Sequence, residues 1–141
     1  MKTHKNVSSQ RRKCRKAHFG ATSHLRYKLL SASLSRDLRA KYSVKSLPVR
    51  RDDEVLVVRG DYKDSKGRVN AVYRKRWCIY VDKVAETKQN GASVKVPLDP
   101  SNVVITKLKL TPDRQALLER KAAGRGDKGK GKYTEADVKD K

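Results

Sequence analysis

The sequence contains no apolar run near the roughly 18 residues that would span a bilayer, so we expect no transmembrane segment. Its two cysteines, Cys14 and Cys78, match no signature spacing, and we expect reduced thiols in a cytosolic protein rather than a disulfide framework. Phe and Trp occur once each, and hydrophobic residues make up 36% of the chain, which is low for a globular protein. Part of the chain is therefore expected to lack a hydrophobic core of its own.

Acidic residues are nearly absent from the first third of the chain. Residues 1–51 carry 15 Lys and Arg against one acid, whereas residues 52–110 carry 12 against 8 and residues 111–141 carry 9 against 6. The net charge of +21 exceeds what solubility requires, so it predicts a polyanionic partner. Because the excess is concentrated at one end, we predict that residues 1–49 form a basic arm.

Patterns typical of catalytic and metal sites are also missing. The three histidines, His4, His18 and His24, all lie in the arm, and together with Cys14 they match no zinc spacing. The glycine-rich stretch at residues 124–132 does not follow a predicted strand, as a phosphate-binding loop would. We therefore predict no enzyme activity, no cofactor, no metal and no small-molecule substrate.

Two short helices are predicted within the arm. At residues 23–30 a serine cap precedes three leucines, and at residues 35–42 apolar side chains recur four positions apart. Before them, residues 11–16 contain five Lys and Arg in six positions. Such a density of like charge repels itself, so we expect residues 10–20 to stay extended until phosphates neutralise them.

Residues 50–106 have the pattern of β-strands. Asn90-Gly91 is a strong hairpin signal because both residues can take positive φ, and Pro97 suggests an edge strand. Five strands with no helix between them fit a small twisted antiparallel barrel. The predicted strands lie within residues 52–60, 67–77, 77–84, 93–98 and 103–105.

The C-terminal part is predicted to be a helix followed by a tail. Thr111 can cap the helix, Pro112 suits its first position, and Asp113 meets the positive end of the helix dipole. We expect Gly124 to end it. The predicted fold is mainly β: a barrel at residues 50–106, a basic arm with short helices at 1–49, a helix at 107–123 and a flexible charged tail at 124–141.

The loop between the first two strands has the most specific motif. Asp53-Glu54-Val55, Val58-Arg59-Gly60, Lys63 and Lys66-Gly67-Arg68-Val69 resemble a KOW motif. Physically this is a tight basic loop whose glycines permit positive φ and close approach of the backbone to a ligand. We predict that residues 63–68 press on a nucleic-acid backbone, the alternative being a plain hairpin with solvated lysines.

Three longer segments resemble a known family in order and spacing. Residues 11–60 (RRKCRKAHFGATSHLRYKLLSASLSRDLRAKYSVKSLPVRRDDEVLVVRG), 90–110 (NGASVKVPLDPSNVVITKLKL) and 117–121 (LLERK) resemble the KOW-containing large-subunit ribosomal proteins. The eukaryotic cytosolic members are numbered twenty-six, and the bacterial counterpart is numbered twenty-four. Where the family usually has glycine after the loop lysine, this chain has Asp64.

The resemblance implies both a fold and a function. It implies an SH3-like KOW barrel bound to large-subunit rRNA near the polypeptide exit tunnel, in contact with neighbouring large-subunit proteins. It further implies a structural role in the large (60S) subunit, in its assembly and in translation. The expected location is the cytosolic ribosome, with passage through the nucleus and nucleolus during assembly.

Basic residues interleaved with aromatic ones predict the RNA contacts. Lys and Arg displace counterions from phosphates, and Phe19, Tyr27, Tyr73 and Trp77 can stack on unpaired bases. For Tyr73 and Trp77 the barrel core is the favoured position, because aromatic residues suit half-buried strands. The residues predicted to bind RNA are Arg11, Arg12, Lys13, Arg15, Lys16, His18, Phe19, His24, Arg26, Tyr27, Lys28, Arg50, Arg51, Lys63, Lys66, Gly67, Arg68, Arg74, Lys75 and Arg76.

The sequence leaves other interpretations open. A KOW-type transcription or chromatin factor would bind duplex DNA or a polymerase, although such proteins are typically longer. The first 24 residues have the composition of a mitochondrial transit peptide but lack its apolar stripe. Residues 11–16 would also serve as a nuclear import signal.

Overall fold

A computed structural model describes residues 7–126, with side chains for residues 7–124. His4 and, from residue 127 onward, the predicted charged tail lie outside the described residues. Helices and strands follow one another as α1 (Arg11–Phe19), α2 (Ser23–Leu29), β1 (Ser31–Leu34), α3 (Arg36–Tyr42), β2 (Ser46–Pro48), β3 (Glu54–Val57), β4 (Lys66–Tyr73), β5 (Cys78–Val81), β6 (Ala85–Thr87), β7 (Ser93–Lys95), β8 (Val103–Lys107) and α4 (Pro112–Gly126). A short 3₁₀ turn at Pro100–Asn102 precedes β8.

Six of the strands form one mixed sheet. Their order is β2-β1-β8-β3-β4-β5, while β6 and β7 form a separate antiparallel hairpin. β3 pairs antiparallel with β4 and with β8, and β1 pairs parallel with β8. The mainly β class, the short N-terminal helices and the C-terminal helix are confirmed. The predicted antiparallel barrel is not confirmed, because the six-stranded sheet is not closed. The parallel pair joins β8 to β1, which lies outside residues 50–106.

Two of the six strands come from the segment that was predicted to be a basic arm. In β1, Ala32 and Leu34 are buried while the two serines between and before them are half-buried. β2 pairs antiparallel with β1, and β1 joins β8. Ser, Ala and Leu have little strand preference, so tertiary burial rather than local propensity makes these strands.

The apolar core is formed mainly by residues of the six-stranded sheet and its loops, and α4 contributes to it. Leu47, Val55 and Ile105 have no exposed surface, and Leu118 of α4 belongs to the same buried cluster. Leu38 of α3 packs against this cluster while partly exposed. Each fully buried side chain of this kind stabilises the fold by about 1.5–3 kcal/mol, so the sheet is the stable part of the molecule.

Several predicted elements are confirmed at their expected positions. The helices at residues 23–30 and 35–42 are present as α2 and α3, and the Ser35 hydroxyl accepts a hydrogen bond from the Leu38 N–H at 3.4 Å as an N-cap. α4 begins at Pro112 as predicted, but it continues through Gly124. One glycine costs a helix interior only about 1 kcal/mol, which does not force an end.

The Asn90-Gly91 turn joins β6 to β7, as its sequence predicted. Only Gly91 has positive φ, at 79°. Asn90 instead accepts a hydrogen bond from the Ala92 N–H through its side-chain oxygen at 3.1 Å. The predicted hairpin is therefore confirmed. Of its two turn residues, only the glycine takes positive φ.

A buried ion pair fastens α4 to the sheet. The Arg114 guanidinium donates to both carboxylate oxygens of Asp53, with 2.7 Å from Nη2 to Oδ2, and both residues are buried. Arg114 also donates to the backbone oxygens of Pro48 and Lys109 at 3.1 and 3.0 Å. Asp53 in turn accepts from the backbone N–H of Arg50 and Lys109. This one pair therefore joins β2, the start of β3 and the chain leading into α4.

Candidate nucleic-acid interface

Helix α1 is a basic, fully exposed helix. No residue of α1 is buried, and Arg11, Arg12, Lys13, Arg15 and Lys16 meet no acid within it. The expectation that residues 10–20 stay extended is wrong. Lys and Arg are good helix formers, and like charges four positions apart cost only about 0.2–0.5 kcal/mol per pair. Basic side chains in the last turn also favour the negative end of the helix dipole.

The end of α1 docks on the turn between β4 and β5 through four residues, which we call the aromatic–basic cluster: His18, Phe19, Arg26 and Trp77. The His18 ring stacks on Trp77 with centroids 4.1 Å apart and planes 18° apart. Phe19 meets His18 edge-on at 4.9 Å, and the Arg26 guanidinium lies 5.0 Å from the Trp77 ring centroid. The contacts bring together three predicted RNA-binding residues and an aromatic side chain from a distant part of the sequence.

Arg26 is the residue that ties this region together. Its Nε donates to the Ala21 carbonyl at 2.8 Å and its Nη2 to the Phe19 carbonyl at 3.1 Å. Its Nη1 reaches the carbonyls of Arg74 and Lys75, each at 3.4 Å. One side chain thus links the end of α1, the connection to α2 and the β4–β5 turn. The Arg26 guanidinium is half-buried and serves the protein's own structure first.

Trp77 and Tyr73 are not in the core, so the favoured position predicted for them is wrong. Trp77 lies in the β4–β5 turn with a φ of 58° and is half-buried against His18 and Arg26. Tyr73 ends β4, is 49% exposed and meets Tyr80 edge-on at 5.4 Å. Both residues lie at the end of β4, beyond the part of the strand that packs on the core. Phe19 is 53% exposed, so its ring is open to a ligand.

A basic groove of roughly 530 Å³ lies beside the aromatic–basic cluster, between α2 and the sheet. Its lining is Tyr27, Leu30, Val49, Arg50, Arg51, Asn70, Ala71, Val72 and Arg74, with no acid among these residues. Arg74 lies over the Tyr27 ring at 5.2 Å and donates to the Ser23 hydroxyl at 3.2 Å. The structure therefore brings together four predicted RNA-binding residues in one concave surface, which the sequence alone did not indicate.

The basic residues of the β3–β4 loop lie at the other end of β4. Lys66 and Arg68 are exposed on the same face of the strand, because alternate side chains point the same way. β4 contains eight residues. At about 3.4 Å per residue it separates this loop from the β4–β5 turn by roughly 25 Å. The predicted site residues are therefore spread along the length of β4, from the β3–β4 loop to the β4–β5 turn.

Gly67 does not take the positive φ expected of the glycines in this loop, while its contact with RNA stays a prediction. It is buried within β4, and a Cβ on it would lie 2.5 Å from a methyl carbon of Val81. The glycine is required because the neighbouring strand packs closely against it. Positive φ in the loop occurs at Gly60 (96°) and Asp64 (66°). The close contact that requires glycine at position 67 is therefore one between neighbouring strands inside the sheet.

The tip of the β3–β4 loop is tied to the β6–β7 hairpin. The Tyr62 hydroxyl donates to the Glu86 carboxylate. This hydrogen bond, with smaller effects of desolvation and the charges of Glu86 and Asp61, raises the pKa of Tyr62 to about 12. Asp64 also lies in this loop, so its Lys63 is accompanied by acidic groups. This end of the loop offers phosphate a less uniformly positive surface than α1 does.

The remaining predicted residues are exposed around the two N-terminal helices and the β4–β5 turn. The His24 Nδ1 lies 3.1 Å from the Thr22 hydroxyl oxygen, so the two share a hydrogen bond. Lys28 is exposed on α2, and Lys75 and Arg76 are exposed in the turn that carries Trp77. Arg76 lies 5.9 Å from the Tyr73 ring centroid. They extend the positive surface around the aromatic–basic cluster.

The side chains on these surfaces are suited to binding nucleic acid. Guanidinium and ammonium groups neutralise phosphates, and exposed rings stack on bases. Among the described residues, no group of three or more His, Cys, Asp or Glu is placed to hold a metal ion. The described part of the chain also has no helix long and apolar enough to cross a membrane.

Comparisons with known proteins agree with this chemistry. A family model described as the eukaryotic L26 ribosomal proteins and their archaeal L24-type counterparts matches residues 8–121. Large ribosomal subunit protein uL24 of Dictyostelium discoideum is 56% identical over 139 residues, covering 98% of this chain and 99% of that protein. The protein of the same name in Caenorhabditis elegans is 49% identical, with 98% and 99% covered. Large ribosomal subunit protein uL24A of Saccharomyces cerevisiae is 58% identical over 116 residues, with 82% and 91% covered. The chain belongs to the family of eukaryotic L26 and archaeal L24-type ribosomal proteins.

Proposed function

We propose that this chain is a structural constituent of the large ribosomal subunit and binds rRNA through α1, α2 and the β4–β5 turn. The observation that carries the proposal is the aromatic–basic cluster, which holds the acid-free helix α1 beside the basic groove. Three chain segments thereby form one positive surface with exposed rings. Such a surface binds RNA by displacing counterions and stacking on bases. Relatives named as ribosomal proteins support a non-enzymatic role.

The finer parts of the proposal rest on the family resemblance. The protein lies near the polypeptide exit tunnel, contacts neighbouring large-subunit proteins and supports subunit assembly and translation. It works in the cytosolic ribosome after passing through the nucleus and nucleolus. Of residues 1–49, those before β1 thread between rRNA segments, while residues 50–106 act as an SH3-like KOW unit. Residues 107–123 include most of α4, which braces that unit, and residues 124–141 carry a charged tail.

A sedimentation experiment distinguishes this function from that of a KOW-type transcription or chromatin factor. Epitope-tagged full-length protein is followed through a sucrose gradient of cell lysate. We expect it to travel with the large subunit and to shift to lighter fractions after RNase but not after DNase. Travel with chromatin, or a shift after DNase alone, would refute the ribosomal role.

Deleting residues 1–19 tests the part assigned to α1. Because α1 buries no residue, we expect the truncated protein to keep its sheet and unfold with nearly unchanged cooperativity. It should nevertheless fail to enter large subunits. Deletion of residues 127–141 is the matched control and should leave incorporation intact. Normal incorporation of the first truncation would show that α1 is not the main rRNA contact.

A further inference from the structure

We propose that the basic groove receives one unpaired rRNA nucleotide that is turned out of its helix. This inference rests on the proposed function and specifies its ligand. The base would enter between Tyr27 and the floor of the groove, and the arginines at the rim would take the adjoining phosphates.

The size and lining of the groove fit a single nucleotide. Its volume of roughly 530 Å³ falls within the range of about 300–1,000 Å³ that is typical of small-ligand sites. Leu30, Val49, Ala71 and Val72 supply an apolar floor, and the half-buried ring of Tyr27 supplies a stacking surface. A duplex is far too wide for such a concavity, whereas one extruded base fits it.

The Tyr27 ring is held in place before any ligand arrives. The Arg74 guanidinium covers it at 5.2 Å and is itself fixed by a hydrogen bond to the Ser23 hydroxyl. A ring held by its neighbours loses little freedom when a base stacks on it. Stacking of one base on an aromatic side chain contributes about 1–3 kcal/mol.

Asn70 supplies a group that can pair with a base edge. The pairing of β4 with β5 shifts register between Val69 and Ala71, so Asn70 is the extra residue of a β-bulge. No hydrogen bond is assigned to its side chain among residues 7–124. An amide offers one acceptor and two donors, which matches the adjacent donor and acceptor on the edge of an unpaired base. Bulges commonly redirect a side chain toward a functional site.

The charges around the groove favour a nucleotide over an acidic peptide. Arg50, Arg51 and Arg74 line it, and no acid does. Arginine charge alone would suit either ligand. The flat ring of Tyr27 beside apolar lining residues, with the Asn70 amide at the bulge, is suited to a planar heterocycle. We therefore commit to the nucleotide, and capture of a peptide instead is an outcome that the test can reveal.

The experiment uses the full-length chain with photoreactive p-benzoylphenylalanine at position 27, bound to deproteinised large-subunit rRNA of Dictyostelium discoideum and, in a second arm, incorporated into assembled large subunits. We expect one dominant crosslink, at a nucleotide that is unpaired in that RNA. The same amino acid at position 13, on exposed α1, is the control and should give crosslinks spread over several backbone positions. Crosslinks from position 27 only to paired nucleotides, or only to protein in assembled subunits, would overturn the inference. Failure to form any RNA complex would instead overturn the proposed function, and this inference with it.

Substitutions provide a second readout. Tyr27→Ala should weaken rRNA binding by roughly 5- to 150-fold, which corresponds to the loss of one stacked base. Tyr27→Phe keeps the ring and should bind within about twofold of the original. In the original complex, the Asn70 amide should protect the edge of the crosslinked base from a chemical probe. Asn70→Ala should remove this protection while leaving the complex intact. Equal weakening by Tyr27→Phe and Tyr27→Ala, or continued protection in Asn70→Ala, would contradict the proposal. Far-ultraviolet circular dichroism of each variant confirms that α2 is retained.

Discussion

The six-stranded sheet and the two N-terminal helices are held together in different ways. The sheet buries side chains such as Leu47, Val55 and Ile105 completely and encloses the Asp53–Arg114 ion pair. Helices α1 and α2 bury no residue and depend on stacked rings and on Arg26. The difference shows how one small chain supplies both a stable body and a surface for phosphate. The region with the greatest excess of positive charge contributes least to the core, so its side chains are available to RNA.

The largest expected effect comes from breaking the ion pair in the sheet region. Arg114→Ala leaves the carboxylate of Asp53 buried without its charged partner, so we expect the free energy of unfolding to fall by about 3–5 kcal/mol. Urea unfolding followed by circular dichroism measures it. Arg120→Ala, at an exposed position of the same helix, is the control and should change stability by less than about 0.5 kcal/mol. Equal effects of the two substitutions would mean that the pair does not anchor α4.

A second variant removes positive charge from α1 and leaves the core of the sheet unchanged. In a variant with Gln at all five basic positions of residues 11–16, we expect unchanged stability but a much weaker salt dependence of rRNA binding. The slope of log K against log salt should become less steep by about 4. When salt is raised from 50 to 200 mM, the fold decrease in the affinity of the variant would then be roughly 250 times smaller than that of the original protein.

The control for this variant changes charge elsewhere. Lys88→Gln with Lys95→Gln removes two exposed charges from the β6–β7 hairpin and should leave the slope nearly unchanged. If each lysine of the hairpin altered the slope as much as each residue of α1, binding would depend on total charge. The distinction between the two regions would then be lost.

Local patterns in the sequence were informative where one segment determines its own structure. Periodicity located α2 and α3, although the predicted serine cap forms only at α3 and α2 has Thr22 at its N-cap without a side-chain hydrogen bond. Thr111-Pro112 located the start of α4, and runs of β-branched residues located β3, β4, β5 and β8. β1 was missed because Ser31–Leu34 becomes a strand only by pairing with β8. The Asp53–Arg114 pair joins residues 61 positions apart, and no spacing rule connects them. The basic character of the candidate site was visible in the composition, whereas the groove exists only once α2 lies beside the sheet.

A smaller effect is expected from loosening the contact between the two regions. Arg26→Ala removes hydrogen bonds to four carbonyls and the stacking on Trp77. We expect α1 to open more readily by about 1–2 kcal/mol, because these contacts are only half-buried. Hydrogen exchange should therefore accelerate in residues 11–20 while the amides of β3 and β8 keep their protection. Arg76→Ala, in the same turn, is the control. Faster exchange throughout the sheet would show that the two regions are not independent.

The smallest effect concerns an exposed contact within the sheet region. The hydrogen bond to Glu86 raises the pKa of Tyr62 from 10.0 to about 12, so the contact favours the protonated phenol. The contribution of this contact to the stability of the folded protein is fully present below pH 10 and is lost as the pH rises toward 12. Glu86→Ala removes both the hydrogen-bond acceptor and the charge, and should return the pKa of Tyr62 toward 10, measured as the difference in tyrosinate absorbance between matched proteins with and without Tyr62→Phe. Glu54→Gln, whose partner is Lys107, should leave it raised. A Tyr62 pKa near 12 in Glu86→Ala would assign the shift to desolvation, and the loop and hairpin would then be held together by packing.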